Sequence, residues 1–187
     1  AHHAPRARGV RILRGDLGDA EAVSEAIRGQ DIVFHVAAKA GVWGPRAEYE
    51  RANVEGTEHV IAGVLRHGVR VLVHTSSPSV VFDGTSHRQA GPDLAYPTRH
   101  LAVYSETKAR AEQLVLAAHG SPLERRARGA NMATAPLATT SLATASLATV
   151  ALRPHLVFGP GDLLLLPRVL SGPEDASRWA VPGRWPD

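Results

Sequence analysis

The chain has 187 residues, of which 44% are hydrophobic and 21% charged, enough for one domain with a sizeable core. It has no cysteine, which excludes disulfides and thiolate metal sites and implies no oxidising compartment. The net charge of +3 and pI of 9.8 come from arginines scattered outside two clusters at residues 6–14 and 125–128, and only 5% of residues are aromatic, so the interleaved basic stripe expected of nucleic-acid binding is missing.

Residues 1–9 show no periodicity and read as a disordered lead-in. Residues 10–13 form a short β-type run that ends in Gly15-Asp16-Leu17. Asp19 is the expected N-cap of a helix with Val23, Ala26 and Ile27 on one side and Gly29 as its stop. Residues 31–38 are nearly continuously apolar, as in a buried parallel strand. After a Gly- and Pro-containing loop, a long helix over residues 47–67 carries Asn53, Thr57, Val60, Ile61, Val64 and Leu65 inward, with Gly68 as its stop.

Residues 69–75 are the next buried strand, opening into Ser76-Ser77-Pro78, and residues 83–98 read as a surface loop. A helix over residues 99–119 follows, closed by Gly120. Leu-Ala-Thr then recurs at 137, 142 and 147 with a period that fits neither helix nor strand, so residues 124–146 read as a low-complexity loop insertion. Residues 150–154 form a further strand, a short helix starts near Leu164, and residues 171–187 give no clear element. The order β-α-β-α-β-α points to an α/β doubly wound parallel sheet of Rossmann type, in which ligands bind beyond the C-terminal strand ends.

Within the 99–119 helix, Tyr104 and Lys108 are four apart and share a face. An ammonium beside a phenol favours the phenolate, so the expectation is a Tyr104 pKa drawn down from about 10 and a side chain able to act as general acid or base. With three Tyr and two Lys in the chain, the spacing arises by chance roughly 0.03 times. The ten histidines lack the i, i+4 spacing with a companion Glu of a helical zinc site, so no metal is expected. The longest purely aliphatic run, residues 163–166, is too short to cross a bilayer and the first residues lack a signal-peptide core, so the expected compartment is cytoplasmic, with no membrane span.

Six motifs in order, namely Gly15-Asp16-Leu17, His35-Val36-Ala37-Ala38, Asn53-Val54-Glu55-Gly56-Thr57, Thr75-Ser76-Ser77, Tyr104-x-x-x-Lys108 and residues 152–161, together resemble the extended short-chain dehydrogenase/reductases. Within these, residues 75–82 and 152–158 are most similar to the 3β-hydroxysteroid dehydrogenase and sterol-4-carboxylate 3-dehydrogenase branch. The resemblance spans about residues 10–123 and 147–170. It implies an NAD-dependent oxidoreductase acting on the CH–OH group of a steroid-like or isoprenoid-like secondary alcohol, as in steroid biosynthesis.

The resemblance also implies roles. Tyr104 would be the acid/base, Lys108 its pKa tuner and a ribose ligand, and Ser77 the donor to the reacting oxygen. Asn53 would order the active-site helix and a water. Asp16 and Leu17 would hold the adenine, Ala37 and Ala38 would pack along the cofactor with Thr75 nearby, and Pro154 and His155 would lie near the nicotinamide. Read from the residues alone, Ser76 and Ser77 also fit turn caps, Asp16 a helix-entry residue, Asn53 an incidental polar residue and His155 a strand-end histidine.

The family's opening strand and Gly-x-x-Gly-x-x-Gly turn, which hold the cofactor pyrophosphate, have no counterpart in these 187 residues, so the expected domain, residues 10–170, is a Rossmann-like unit truncated at both ends, and residues 171–187 begin a substrate-binding region. The expectation is that this chain binds NAD weakly or not at all. A nucleotide-sugar epimerase or reductase, or a catalytically inactive fragment, are the alternatives. By resemblance, a homodimer would pair through helices 47–67 and 99–119.

Overall fold

The computed structural model describes residues 10–41, 43–87, 91–124 and 145–155. The expected lead-in, most of the insertion, the helix near Leu164 and residues 156–187 lie outside them. The chain divides into one unit over Ala1–Pro154 and another over His155–Asp187.

Helix α1, Ala20–Ile27, starts where Asp19 accepts hydrogen bonds from the amides of Glu21 and Ala22 at 3.1 Å, which satisfies two of the free N–H groups of its first turn. Its buried side carries Val23, Ser24 and Ile27, whereas Ala26, expected inward, is exposed. Gly29, at φ 84°, turns the chain out of the helix as expected. Residues 10–13 do not form the expected strand: they pair with no strand, and Val10 and Ile12 are 61% and 60% exposed. A parallel strand is held by its ladder, and among the described residues none lies beside this segment.

The sheet has three parallel strands, β1 Ile32–His35, β2 Val71–Thr75 and β3 Ala148–Leu152, in the order β1-β2-β3. The register aligns Phe34 with Val73 and Val150, and His35 with His74 and Ala151. Alternation along each strand sends His35, Leu72, His74 and Thr149 to a buried face, and Ile32, Phe34, Val150 and Leu152 to the opposite one, where they are exposed. The β1 segment is therefore a one-sided edge strand among the described residues, not the strand buried on both faces that its apolar run suggested.

Between β1 and β2 runs one helical rod: α2 Arg46–Tyr49, a π-helical stretch Glu50–Glu55, and α3 Gly56–Arg66. Gly68, at φ 63°, follows its end. Leu17 and α1 pack on α3 at two glycines. A Cβ on Gly56 would sit 2.7 Å from Leu17 Cβ, and one on Gly63 would sit 2.8 Å from Ile27 Cδ1, so the close approach of the elements requires small residues there. After β2, Ser77 caps a 3₁₀ turn over Pro78–Val81, and α4, Val103–Ala117, begins four residues later than the sequence suggested. The core under the sheet comprises Val23, Ile27, Val60, Val64, Val69, Leu72, Val115 and Leu147, each contributing about 1.5–3 kcal/mol by leaving water.

Two sets of contacts fix the ends of β3 and α4. Leu147 N–H donates to Ser121 O at 2.9 Å and Leu123 N–H to Ala145 O at 3.0 Å, so the chain segments on either side of residues 125–144 run together into β3. On the outside, Arg46 pairs with Glu50 and Glu106, and Arg110 pairs with Glu50, joining the start of the rod to α4 through exposed charges.

Candidate functional site

Parallel strands put all their C-terminal ends on one side, and that is where the polar residues gather. Val36, Ala37 and Ala38 leave β1 exposed, Ser76 and Ser77 follow β2, and Arg153 and Pro154 follow β3. α4 packs against β2, β3 and the 3₁₀ turn, presenting Tyr104, Lys108 and Glu112 one turn apart on a single face.

Ser77 does two things. Its Oγ accepts from Ser79 N–H at 3.2 Å and lies 2.9 Å from Ser79 Oγ, which makes it the cap of the 3₁₀ turn. Its hydroxyl also lies near the Tyr104 phenol and acts on it. Burial pushes the Tyr104 phenol above its ordinary pKa, and the nearby Ser77 hydroxyl pulls it partly back. The lowering of Tyr104 by Lys108 that the spacing suggested is thus absent. The physical reason is where the ammonium points: Lys108 Nζ donates to Thr75 O at 2.7 Å and lies 3.2 Å from His74 Nε2, beneath the end of β2.

Lys108 is 2% exposed, and burial lowers its pKa to about 8, with the carboxylate of Glu112 acting in the opposite direction. The imidazoles beside it stay neutral. Burial, reinforced by the charge of Lys108, lowers His74 to about 3 and His35 to about 4. His35 Nε2 lies 2.9 Å from Thr57 Oγ1, whose hydroxyl donates to Asn53 O at 2.6 Å.

Asn53 is 2% exposed and uses both ends of its amide. Oδ1 accepts from Lys39 N–H at 2.7 Å, while Nδ2 donates to Lys39 O at 3.1 Å and Thr107 Oγ1 at 3.0 Å. Thr107 Oγ1 in turn donates to the carbonyls of Val103 and Tyr104. The side chain therefore ties the loop after β1 to the turn of α4 that bears Tyr104. It sits in the π-helical stretch, where one wider turn re-aims side chains that an unbroken α-helix would place elsewhere.

Several residues of this cluster escape a motif-based reading. Ser76, which reads as a turn cap, donates its hydroxyl to buried Glu112, which also accepts from Tyr96 OH at 2.7 Å and pairs with Arg153 at 2.6 Å. The signal for Glu112 is its position one further turn along the Tyr104–Lys108 face; for His35 and His74 it is strand alternation, which puts both on the face that meets α4.

Asp16 and Leu17 belong to a different neighbourhood. Asp16 is an exposed turn residue whose Oδ1 accepts from Gly18 N–H at 2.8 Å and whose Oδ2 pairs with Arg51 at 3.2 Å. Leu17 O lies 2.8 Å from His59 Nδ1 and its side chain lies against Gly56. Both meet the helical rod and neither touches Tyr104 or Lys108. Pro154 is exposed just past β3; His155, also exposed, belongs to the second unit. Among the described residues no helix is long and apolar enough to cross a membrane.

The profile of the 3-beta hydroxysteroid dehydrogenase/isomerase family matches residues 3–172. The chain is 42% identical over 163 residues to a 2-alkyl-3-oxoalkanoate reductase of Shewanella oneidensis, an alignment covering 87% of this chain and 38% of the relative. It is 35% identical over 164 residues to 3beta-hydroxysteroid-dehydrogenase/decarboxylase isoform 2 of Arabidopsis thaliana, covering 87% and 25%. The solved structure of MoeE5 in complex with UDP-glucuronic acid and NAD is similar with a TM-score of 0.59 at 33% identity, over 80% of this chain and 42% of that one. The chain thus spans between 25% and 42% of the length of these relatives.

Proposed function

This chain belongs to the 3-beta hydroxysteroid dehydrogenase/isomerase family, and we propose that its strand-end cluster is the proton-transfer part of an NAD-dependent oxidoreductase site for a secondary alcohol or the corresponding ketone. The observation that carries this reading is the grouping of Ser77 and Tyr104 with the Lys108 ammonium one helical turn further on, at the C-terminal ends of parallel strands.

The nicotinamide-ribose portion of the cofactor fits the residues present. Ala37 and Ala38 form an exposed ledge with nothing beyond Cβ beside β1, and Lys108 supplies a buried cation with spare donor capacity next to Thr75. The pyrophosphate portion finds no glycine-rich turn in these residues, so Lys108, Tyr104, Ala37 and Ala38 are the groups of this chain that would hold the cofactor. A cofactor held there would supply the hydride chemistry at the substrate carbon. Tyr104 moves the proton at the substrate oxygen, and Ser77 orients that oxygen. Burial holds the phenol in its protonated form, the form that can donate to a ketone oxygen.

The substrate class is a steroid-like or long-chain β-oxygenated molecule, in keeping with the oxoalkanoate and sterol enzymes that resemble the chain. A nucleotide-sugar epimerase or reductase would use the same Tyr, Lys and Ser, and the likeness to MoeE5 favours it as the second reading.

The test is fluorescence-detected NADH titration of the chain with turnover on a 3-oxosteroid, a 2-alkyl-3-oxoalkanoate and a UDP-sugar. The expected result is weak saturable binding, reduced about tenfold by Lys108→Met and about threefold by Tyr104→Phe, with turnover lost in both. No binding to a folded chain would overturn the reading for these residues, and turnover of the UDP-sugar alone would replace it with the second one.

A further inference from the structure

We infer that His74 is a positioning residue for Lys108: its neutral imidazole, held in the Nδ1–H tautomer, is the acceptor that fixes the buried ammonium beneath the end of β2. The inference deepens the oxidoreductase reading and takes its catalytic meaning from it, but the contact itself stands on geometry.

Lys108 is a cation at 2% exposure that, among the described residues, makes no hydrogen bond to a carboxylate. The acid on its own face, Glu112, directs its oxygens to Ser76, Tyr96 and Arg153 instead. The ammonium has three donors; Thr75 O accepts one at 2.7 Å, and His74 Nε2, at 3.2 Å, is the second acceptor. That geometry selects one form of the ring. With a proton on Nε2, whether in the other neutral tautomer or in the imidazolium, a donor would face a donor.

His35 supports the assignment from β1. Thr57 Oγ1 gives its proton to Asn53 O, so it accepts from His35 Nε2–H, and the two imidazole rings lie 5.0 Å apart at 43°. The titratable groups that act on the Lys108–His74 contact are therefore His35 from β1 and Glu112 from α4, whose carboxylate is engaged with Arg153; α3 contributes Thr57, which does not titrate.

A second observation argues against a packing role. His74 is fully buried, yet its Nδ1 has no partner among the described residues. An apolar side chain would fill a core strand without leaving a buried donor unpaired. A half-satisfied histidine is tolerated where its other nitrogen does something an apolar group cannot, and here that is holding the ammonium. The Nε2 atom of His74 consequently senses the charge of Lys108 while the ring keeps its tautomer.

The experiment is long-range ¹H–¹⁵N spectroscopy of the histidine rings in the full 187-residue chain from pH 5 to 9, with His74 assigned by its loss in His74→Gln. The expected spectrum shows His74 as a neutral Nδ1–H ring throughout, with an Nε2 resonance that moves as Lys108 loses its proton. A ring found as Nε2–H, or one that protonates with a midpoint near the ordinary value of about 6.5, would overturn the inference from the wild-type chain alone. In Lys108→Met the Nε2 step should vanish; an unchanged step would count against the contact.

For the catalytic meaning, His74→Leu should shift the pH dependence of turnover while His74→Gln, which keeps an acceptor, preserves it. Identical profiles for the two variants would reduce His74 to packing. Failure of the oxidoreductase reading would appear instead as a wild-type chain that neither binds NADH nor turns over, with the ring spectrum unaffected.

Discussion

Arg153, the first residue past β3, holds the carboxylate of Glu112 in the middle of α4 at 2.6 Å, and the Glu112 side chain is 1% exposed. Removing one partner of a buried pair leaves an uncompensated charge, so Glu112 in place with Arg153→Met should cost about 3–5 kcal/mol of stability. Guanidinium unfolding of the two proteins measures it, and a loss below about 1 kcal/mol would show that Ser76 and Tyr96 alone satisfy the carboxylate. Burial raises the Glu112 pKa, but the bonds from Arg153, Ser76 and Tyr96 outweigh it and leave the group below its ordinary value. With the folded value depressed, this stabilisation is present above the unfolded pKa of about 4.3 and is lost as pH falls through the folded one.

His35 and His74 make the chain acid-sensitive in a higher window. Both have folded pKa values, about 4 and about 3, below the unfolded value near 6.5, so under that pH the unfolded chain binds more protons than the folded one. Stability should therefore fall from about pH 6.5 towards pH 4, by up to roughly 1.4 kcal/mol per pH unit for each histidine. Unfolding at pH 7, 6 and 5 should show the loss, with close to two protons taken up at pH 5 by these rings; a flat profile would mean that the rings are not buried neutral.

The two close glycines of α3 should respond differently to the same change. At Gly56 a methyl meets Leu17 Cβ, which is fixed to the backbone, so Gly56→Ala should destabilise by about 1–3 kcal/mol. At Gly63 it meets the far end of Ile27, which can rotate, and the helix propensity of Ala offsets about 1 kcal/mol, so Gly63→Ala should be near neutral. Thermal melts of the pair decide it, and equal effects would contradict the packing of α1 and residue 17 on the rod.

The uncovered sheet face has a measurable signature. Ile32, Phe34, Val150 and Leu152 are 45–69% exposed on one side of three strands, a contiguous apolar surface of the kind that drives association. The polypeptide should bind a hydrophobic dye and sediment as more than a monomer. The double change Phe34→Ser and Val150→Thr should reduce both while altering stability by less than about 1 kcal/mol. Unchanged dye binding would place the apolar surface elsewhere.

Much of the site was legible in the residues because its signals are local. The Asp19 cap, the Gly29 and Gly68 stops and the shared face of Tyr104 and Lys108 all follow from backbone rules that act over a few residues. The segment at residues 10–13 was misread for the complementary reason. Its β-type composition is local, but a strand exists only with a neighbour, and none lies beside it among the described residues. The Tyr104 pKa was misjudged likewise: four-residue spacing sets proximity, not the direction in which a flexible ammonium turns, and Lys108 turns towards Thr75 and His74.

By itself, then, the sequence determined the alternation of strands and helices, the strand-end placement of Ser76, Ser77, Ala37 and Ala38, and the family, since these depend on residue order and short-range periodicity. Only the tertiary structure decided the π-helical turn that aims Asn53 at Lys39 and Thr107, the histidine seam under Lys108 and the Glu112–Arg153 pair. Those contacts join residues 14 to 54 positions apart, and such partners are chosen by how buried donors and acceptors find one another once the sheet and helices have packed.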